Sequence, residues 1–215
     1  MTAFVDVAFG DQRYLEQQER LHVSILNIYP DATIFSWTNE MPPGAKSFND
    51  SMYGFKPHAI LHAVKRGFKQ VMFFDPAVIL MDKIDYYQEI VKDYGVIAAQ
   101  DDNLLTKFCM DRALDYAGFS RNDIEEQKFH LVGGSFYYFD FNLVLCNSIF
   151  THWLTAERLG LFGSQREQAS GKLDHGHRND EAMMALALYA NGSKPLTGDV
   201  RYNCEGGITK KYHFK

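Results

Sequence analysis

The chain has 215 residues, 46% of them hydrophobic, with 22 Lys plus Arg against 27 Asp plus Glu and a formal net charge of −5. That is enough apolar sequence for one folded unit, residues 1–215, with a sizeable core, and the acidic balance excludes a broad electrostatic attraction to nucleic acid or to an anionic membrane, both of which need basic stripes. The longest apolar runs, such as residues 182–190, fall well short of the ~20 residues that a bilayer span requires.

Residues 1–10 carry Asp6 and no basic cluster ahead of an apolar stretch, so they read as a first strand over 3–9 and not as a secretory leader. Residues 12–29 place Leu15, Leu21, Ile25 and Ile28 near helical spacing and stop at Pro30. Residues 33–37 are β-branched and aromatic, a second strand. A helix follows, with Pro57 in its first turn, a buried stripe of Ile60, Leu61 and Val64, and Gly67 at its close. A third strand, 71–74, runs into Asp75; Pro76 interrupts pairing and 78–81 resumes in extended form. Beyond it the pattern gives a helix over 86–94, a strand over 95–99, a helix over 104–116 and a polar helix or loop over 122–129. Then come an aromatic, glycine-bearing strand over 131–141, a helix over 143–159 and an aperiodic polar stretch over 163–177. A helix over 180–189 and short strands near 195–196 and 201–204 complete the chain. Strands alternating with helices predict an α/β layered fold around a mixed, mostly parallel central sheet. The three cysteines, Cys109, Cys146 and Cys204, are too widely spaced for a disulfide framework or a Cys-x-x-Cys metal site, which suits a reduced, cytoplasmic protein.

In open α/β sheets ligands gather beyond the carboxyl ends of strands, and four segments there carry polar groups. Gly10, Asp11 and Tyr14 could stack on and hydrogen-bond a base, or form a helix cap. Phe73-Phe74-Asp75-Pro76-Ala77 sets a carboxylate at the tip of an apolar strand, where it needs a partner or a hard cation. Val132-Gly133-Gly134-Ser135 allows close backbone approach or marks a bulge, and it is not the Gly-x-Ser-x-Gly of a nucleophile elbow. Asp174-His175-Gly176-His177-Arg178-Asn179-Asp180-Glu181 packs acids, imidazoles and a cation ahead of a helix, with Asn179 or Asp180 as an N-cap. There is no Gly-x-Gly-x-x-Gly and no Gly-x-x-x-x-Gly-Lys-Ser/Thr, which excludes ordinary dinucleotide binding and P-loop phosphoryl transfer. His58 and His62, four apart, read as a half-exposed pair, and Trp153, Tyr137 and Tyr138 as core.

Taken in order, these segments resemble glycosyltransferases of the GT-A fold, most nearly the glycogenin-like group. Residues 53–80 are similar to the family's lysine-plus-helix segment leading into a strand that ends in Asp-x-Asp. Residues 132–141 are similar to its acceptor-side strand, and Asn179-Asp180-Glu181-Ala-Met-Met to its acidic helix start. The resemblance implies a UDP-sugar donor, UDP-glucose as first choice, a glycan or glycoprotein acceptor, and Mn²⁺ or Mg²⁺ across the diphosphate. It implies that Ala8, Phe9, Asp11 and Tyr14 hold the uridine and that Lys56 approaches the sugar or phosphates. Phe74, Asp75, Pro76 and Ala77 would follow the donor, with Asp75 at the metal or ribose. Gly133 and Gly134 would make room for the sugar, and Asp180 would face the reacting carbon or the acceptor hydroxyl. His213 would be a metal ligand, with Lys210 and Lys211 near the diphosphate. Likeness to viral enzymes that build capsid glycans adds the host cytoplasm as a location and leaves room for further domains of a longer chain.

Two departures stand out. Ala77 replaces the second acid of Asp-x-Asp, and Gly206, Gly207 and Lys210 precede His213 where the family has its Gly and Lys after the His. Ala77 motivates an alternative, a non-catalytic module that binds sugar nucleotides or glycans. A zinc hydrolase centred on His175 and His177 is a third reading. Residues 163–177 are expected to act as a lid over bound donor.

Overall fold

The computed structural model describes residues 1–197 and the backbone of 202–204. Its first strand, β1 (Thr2–Ala8), is buried along almost its whole length, as a strand covered on both faces should be. After β1 the chain turns through Gly10 into α1 (Gln12–Ile28), then β2 (Thr33–Thr38), α2 (Phe55–Lys65) and β3 (Gln70–Phe74). It continues through the short β4 (Val78–Leu80), α3 (Asp85–Tyr94) and β5 (Val96–Leu104), and two short helices, α4 (Asp111–Ala117) and α5 (Arg121–Glu126). β6 (His130–Asp140), α6 (Val144–Arg158), α7 (Gln165–Ala169) and α8 (Asn179–Ala190) follow, and β7 (Tyr202–Cys204) pairs antiparallel with β4.

The main sheet has the order β2-β1-β3-β6-β5. β1, β2 and β3 are parallel, and β6 runs against both β3 and β5, so four of the five strands share one direction. This is the open, mixed α/β sheet flanked by helices that the alternating periodicity predicts. Side chains alternate between two cores. Ala3, Val5, Val71, Phe73, Tyr137 and Phe139 face α2, α6 and α8, while Phe4, Met72, Phe74 and Tyr138 face α1 and α3. On the second face Asp6 is buried but satisfied, accepting from Gln18 Nε2 (2.6 Å) and Ser36 Oγ (2.9 Å) and contacting His22 Nε2 (2.8 Å).

Three local expectations change. β5 continues to Leu104, so the helix expected over 104–116 forms only as α4: the Met110 N–H is directed to His177 Nδ1 (3.4 Å) and Cys109 and Met110 are drawn into the core. The stretch 163–177 contains a helical turn, α7, because Ser164 and Glu167 form a reciprocal capping box. His58 is buried, not half-exposed, with Nε2 3.0 Å from the buried Glu157 Oε2, while His62 packs against Phe35 and Trp37. Among the described residues no helix is long and apolar enough to cross a membrane.

Candidate active site

The connection from β1 to β2 carries α1 on one face of the sheet, and that from β2 to β3 carries α2 on the other. The chain therefore diverges between β1 and β3, and a crevice opens beyond their carboxyl ends. Val7, Ala8, Phe9 and Tyr14 from one side and Asp75, Pro76 and Ala77 from the other line a cavity of about 390 Å³ there. A second cavity, of about 540 Å³, adjoins it, floored by Lys56, Asp180 and Glu181 and walled by residues before and within α7 and α8. Phe48, Tyr53 and Asp75 line both, so the two spaces meet at the carboxylate on the tip of β3.

β6 brings the rest of the site to this edge. Because it runs antiparallel to β3, Phe136 pairs with Phe74 and the Asp75 N–H donates to the Ser135 carbonyl at 2.9 Å. Gly134 thus lies beside Asp75. A Cβ on Gly134 would stand 3.0 Å from Lys56 Nζ and 3.0 Å from Glu181 Cγ and Oε1, so the glycine is what lets these side chains approach the strand. By contrast, nothing lies within 4 Å of a Cβ on Gly133.

Lys56, in the first turn of α2, is 2% exposed and gives its ammonium hydrogens to three acceptors: Gly134 O (2.8 Å), Asp180 Oδ2 (2.8 Å) and Asp75 Oδ1 (3.4 Å). The Tyr53, Phe73 and Tyr137 rings surround it, with Nζ 5.2, 5.4 and 5.8 Å from their centroids. Burial alone would push this lysine's pKa down; the Asp180 and Asp75 carboxylates outweigh it and hold the pKa above its ordinary value. Burial raises Asp75, opposed by Lys56, and its side chain keeps 34% of its surface open.

Asp180 is 2% exposed and held by Lys56, by the Tyr137 hydroxyl (3.3 Å) and through its carbonyl by Trp153 Nε1 (3.1 Å). It does not cap α8; that helix starts at Arg178 with no side-chain cap, and Asn179, at a left-handed φ of 41°, donates its amide to Phe162 O (2.6 Å). Glu181 accepts from the Gly134 N–H (3.1 Å) and pairs with Arg178 (2.6 Å). Burial, then the charge of Asp180, pushes its pKa up to about 7.

The structure gathers Ala8, Phe9, Tyr14, Lys56, Asp75, Pro76, Ala77 and Asp180 around the paired cavities. Asp11 lines neither: its carboxylate caps α1, accepting from the Arg13 and Tyr14 N–H groups at 3.0 and 3.4 Å. Phe74 is core, stacked between Phe4 and Phe136. Gly134 is filled against by Lys56 and Glu181. Lys210, Lys211 and His213 lie outside the described residues. The zinc reading fails at His177, which is buried with Nε2 on Leu161 O (2.9 Å) and Nδ1 on the Met110 N–H; burial lowers its pKa to about 4. The residues that sequence reasoning missed, Tyr53, Phe48, Arg178, Glu181, Gln165 and Gln168, carry no motif. A left-handed tyrosine just before α2 (φ 60°) leaves no mark that local sequence could report.

A divalent cation is not accommodated at the Asp75 corner by the described residues. Ala77 offers no ligand atom, and the Lys56 ammonium already stands between Asp75 and Asp180, where a dication would have to compete with it. Among the described residues, three ligand-bearing side chains come within reach of one ion at Asp111, Asp174 and His175; all three are exposed, none lines either cavity, and Asp111 is paired with Arg121 at 2.7 Å.

No protein-family model matches the chain, and no curated protein sequence does. Solved structures do resemble it. The galactosyltransferase LgtC with donor and acceptor sugar analogs is 12% identical, with 87% of this chain and 70% of that chain covered and a TM-score of 0.41. The glycosyltransferase GlyE of Streptococcus pneumoniae TIGR4 is 11% identical over 92% of this chain, at a TM-score of 0.49; the chain spans 45% of it, less than half its length. A glycosyltransferase involved in the glycosylation of the major capsid of PBCV-1 is 6% identical, covering 79% of this chain and 73% of that chain at a TM-score of 0.46. The solved structures to which this chain is similar in these comparisons are glycosyltransferases.

Proposed function

We propose that the protein is a GT-A-type glycosyltransferase that moves a hexose from a UDP-sugar, UDP-glucose as first choice, to a hydroxyl of a glycan or glycoprotein, with glycans of viral capsid protein among the acceptors. One observation carries this reading: an apolar cavity at the switch point between β1 and β3 and a polar, carboxylate-bearing cavity meet at Asp75. The uracil and ribose would lie among Ala8, Phe9, Tyr14 and Pro76, and the sugar would project past Asp75 toward Asp180 and Glu181. An acceptor hydroxyl attacks the anomeric carbon, the bond from that carbon to the diphosphate oxygen breaks, and the diphosphate leaves with the bonding electrons. Glu181, whose pKa is pushed up to about 7, suits reception of the hydroxyl proton. Asp180, fixed by Lys56 and Tyr137, would stabilise positive charge at the anomeric carbon. Mn²⁺ or Mg²⁺ would have to draw on His213 and on the donor's own phosphates, and no step here runs through it.

Calorimetry of UDP binding tests the reading. Asp75→Ala is expected to weaken UDP at least tenfold, and equal affinity in the variant removes Asp75 from the site. Titrations in Mn²⁺ and in EDTA read the metal separately. Ala77 favours a second reading, a non-catalytic sugar-nucleotide binder; tight UDP binding without UDP release from any UDP-sugar, with or without acceptor, would select it.

A further inference from the structure

The larger cavity has an outer wall that the donor chemistry leaves unused. α7 forms it, and Gln165 and Gln168, three residues apart on that helix, both line the cavity. Neither side-chain amide has a hydrogen-bond partner among the described residues, whereas the helix that carries them is firmly held. Ser164 and Glu167 cap it reciprocally, Glu167 pairs with Arg112 at 2.8 Å, and the Gln165 N–H donates to Asn49 O at 3.0 Å. Phe48 and Tyr53, packed edge to face with centroids 5.3 Å apart, also line the cavity. Glutamine amides both donate and accept, as sugar hydroxyls do, and aromatic rings offer an apolar surface to a sugar's C–H groups. Its charged lining consists of Asp75, Asp180 and Glu181 against Lys56 and Arg178, three negative groups to two positive, so a further anion would meet net repulsion. His177 also lines the cavity and stays uncharged near neutral pH because burial lowers its pKa to about 4.

We propose that this cavity is the acceptor site and that Gln165 and Gln168 select a neutral sugar, one without carboxylate, sulfate or phosphate. This rests on the donor reading above, and it adds the chemical class of acceptor and two residues that set it.

The test uses the labelled full chain on an array of neutral, sialylated and sulfated glycans in the presence of UDP, followed by titration of the strongest neutral glycan. Retention of neutral glycans over charged ones is expected, with at least a fivefold loss of affinity in a Gln165→Ala/Gln168→Ala double variant whose melting temperature matches the wild type. Both residues are exposed on a surface helix, so the variant folds. Retention of charged glycans only, of no glycan, or equal affinity in the double variant overturns the proposal. Calorimetry of UDP on the wild type separates the two readings: bound UDP with any of those three results sinks the acceptor site alone, and absent UDP binding sinks the donor reading on which it stands.

Discussion

Burying an ammonium without compensation drives it toward the neutral form, yet Lys56 is nine-tenths and more enclosed and has its pKa raised, because two carboxylates and a carbonyl surround it. The same arrangement leaves Glu181 as the carboxylate without a lysine of its own. Its pKa rises from 4.5 to about 7, so between those values the folded protein holds a proton that the unfolded chain has released. Stability from this group is therefore full below about pH 4.5, falls as pH rises, and is gone above about pH 7. Glu181→Gln removes that titration. In urea denaturation from pH 5 to pH 8, the wild-type midpoint should decline more steeply than that of the variant, and parallel slopes would assign the proton elsewhere.

At the scale of elements, three pieces from distant parts of the chain converge: the first turn of α2, the start of β6 and the first turn of α8. Gly134 is the contact point, since Lys56 and Glu181 reach it from the two helices. Gly134→Ala would push its Cβ against both side chains and is expected to cost about 2 kcal/mol, in the range typical of overpacking. Gly133→Ala, one residue away with open space at its Cβ, should be nearly neutral. Guanidinium denaturation of the pair reads the contrast; equal losses would mean that the strand, not the junction, resists a side chain. Trp153, expected as core from sequence, does more than fill space here, because its Nε1 bond to the Asp180 carbonyl ties α6 to the first turn of α8.

For the molecule as a whole, ligand binding and folding are linked: a nucleotide that binds only the folded chain stabilises it by about 2.7 kcal/mol at a concentration of 100 Kd. In a chain of this size that is a rise of roughly 5–10 °C in Tm. UDP is expected to give it, and GDP and CMP to give less, because the apolar cavity between β1 and β3 is walled by Phe9, Tyr14 and Pro76. Equal shifts for all three nucleotides would mean that the base is not read there.

Much of the architecture was legible in the sequence because it depends on local period and punctuation. Runs of two-residue and 3.6-residue periodicity gave β1, α1, β2, α2, β3, β6, α6 and α8 close to their observed limits, and Pro30, Pro76 and Gly67 marked breaks. The strand-tip position of Asp75 followed from the same pattern. The split of the 104–116 segment did not, since the Met110 N–H leaves the helix for an imidazole 67 residues away. Nor did the capped turn at α7, whose five residues are too few for any period to register. Composition and order alone determined the α/β class and the candidate carboxylates. Only the tertiary structure decided that one buried lysine lies between Asp75 and Asp180, that His177 is a structural group, and that Glu181 and two glutamines line the cavity. Those outcomes depend on distances between residues 78 and 124 positions apart, which antiparallel pairing of β6 and packing of α8 set and no local pattern encodes.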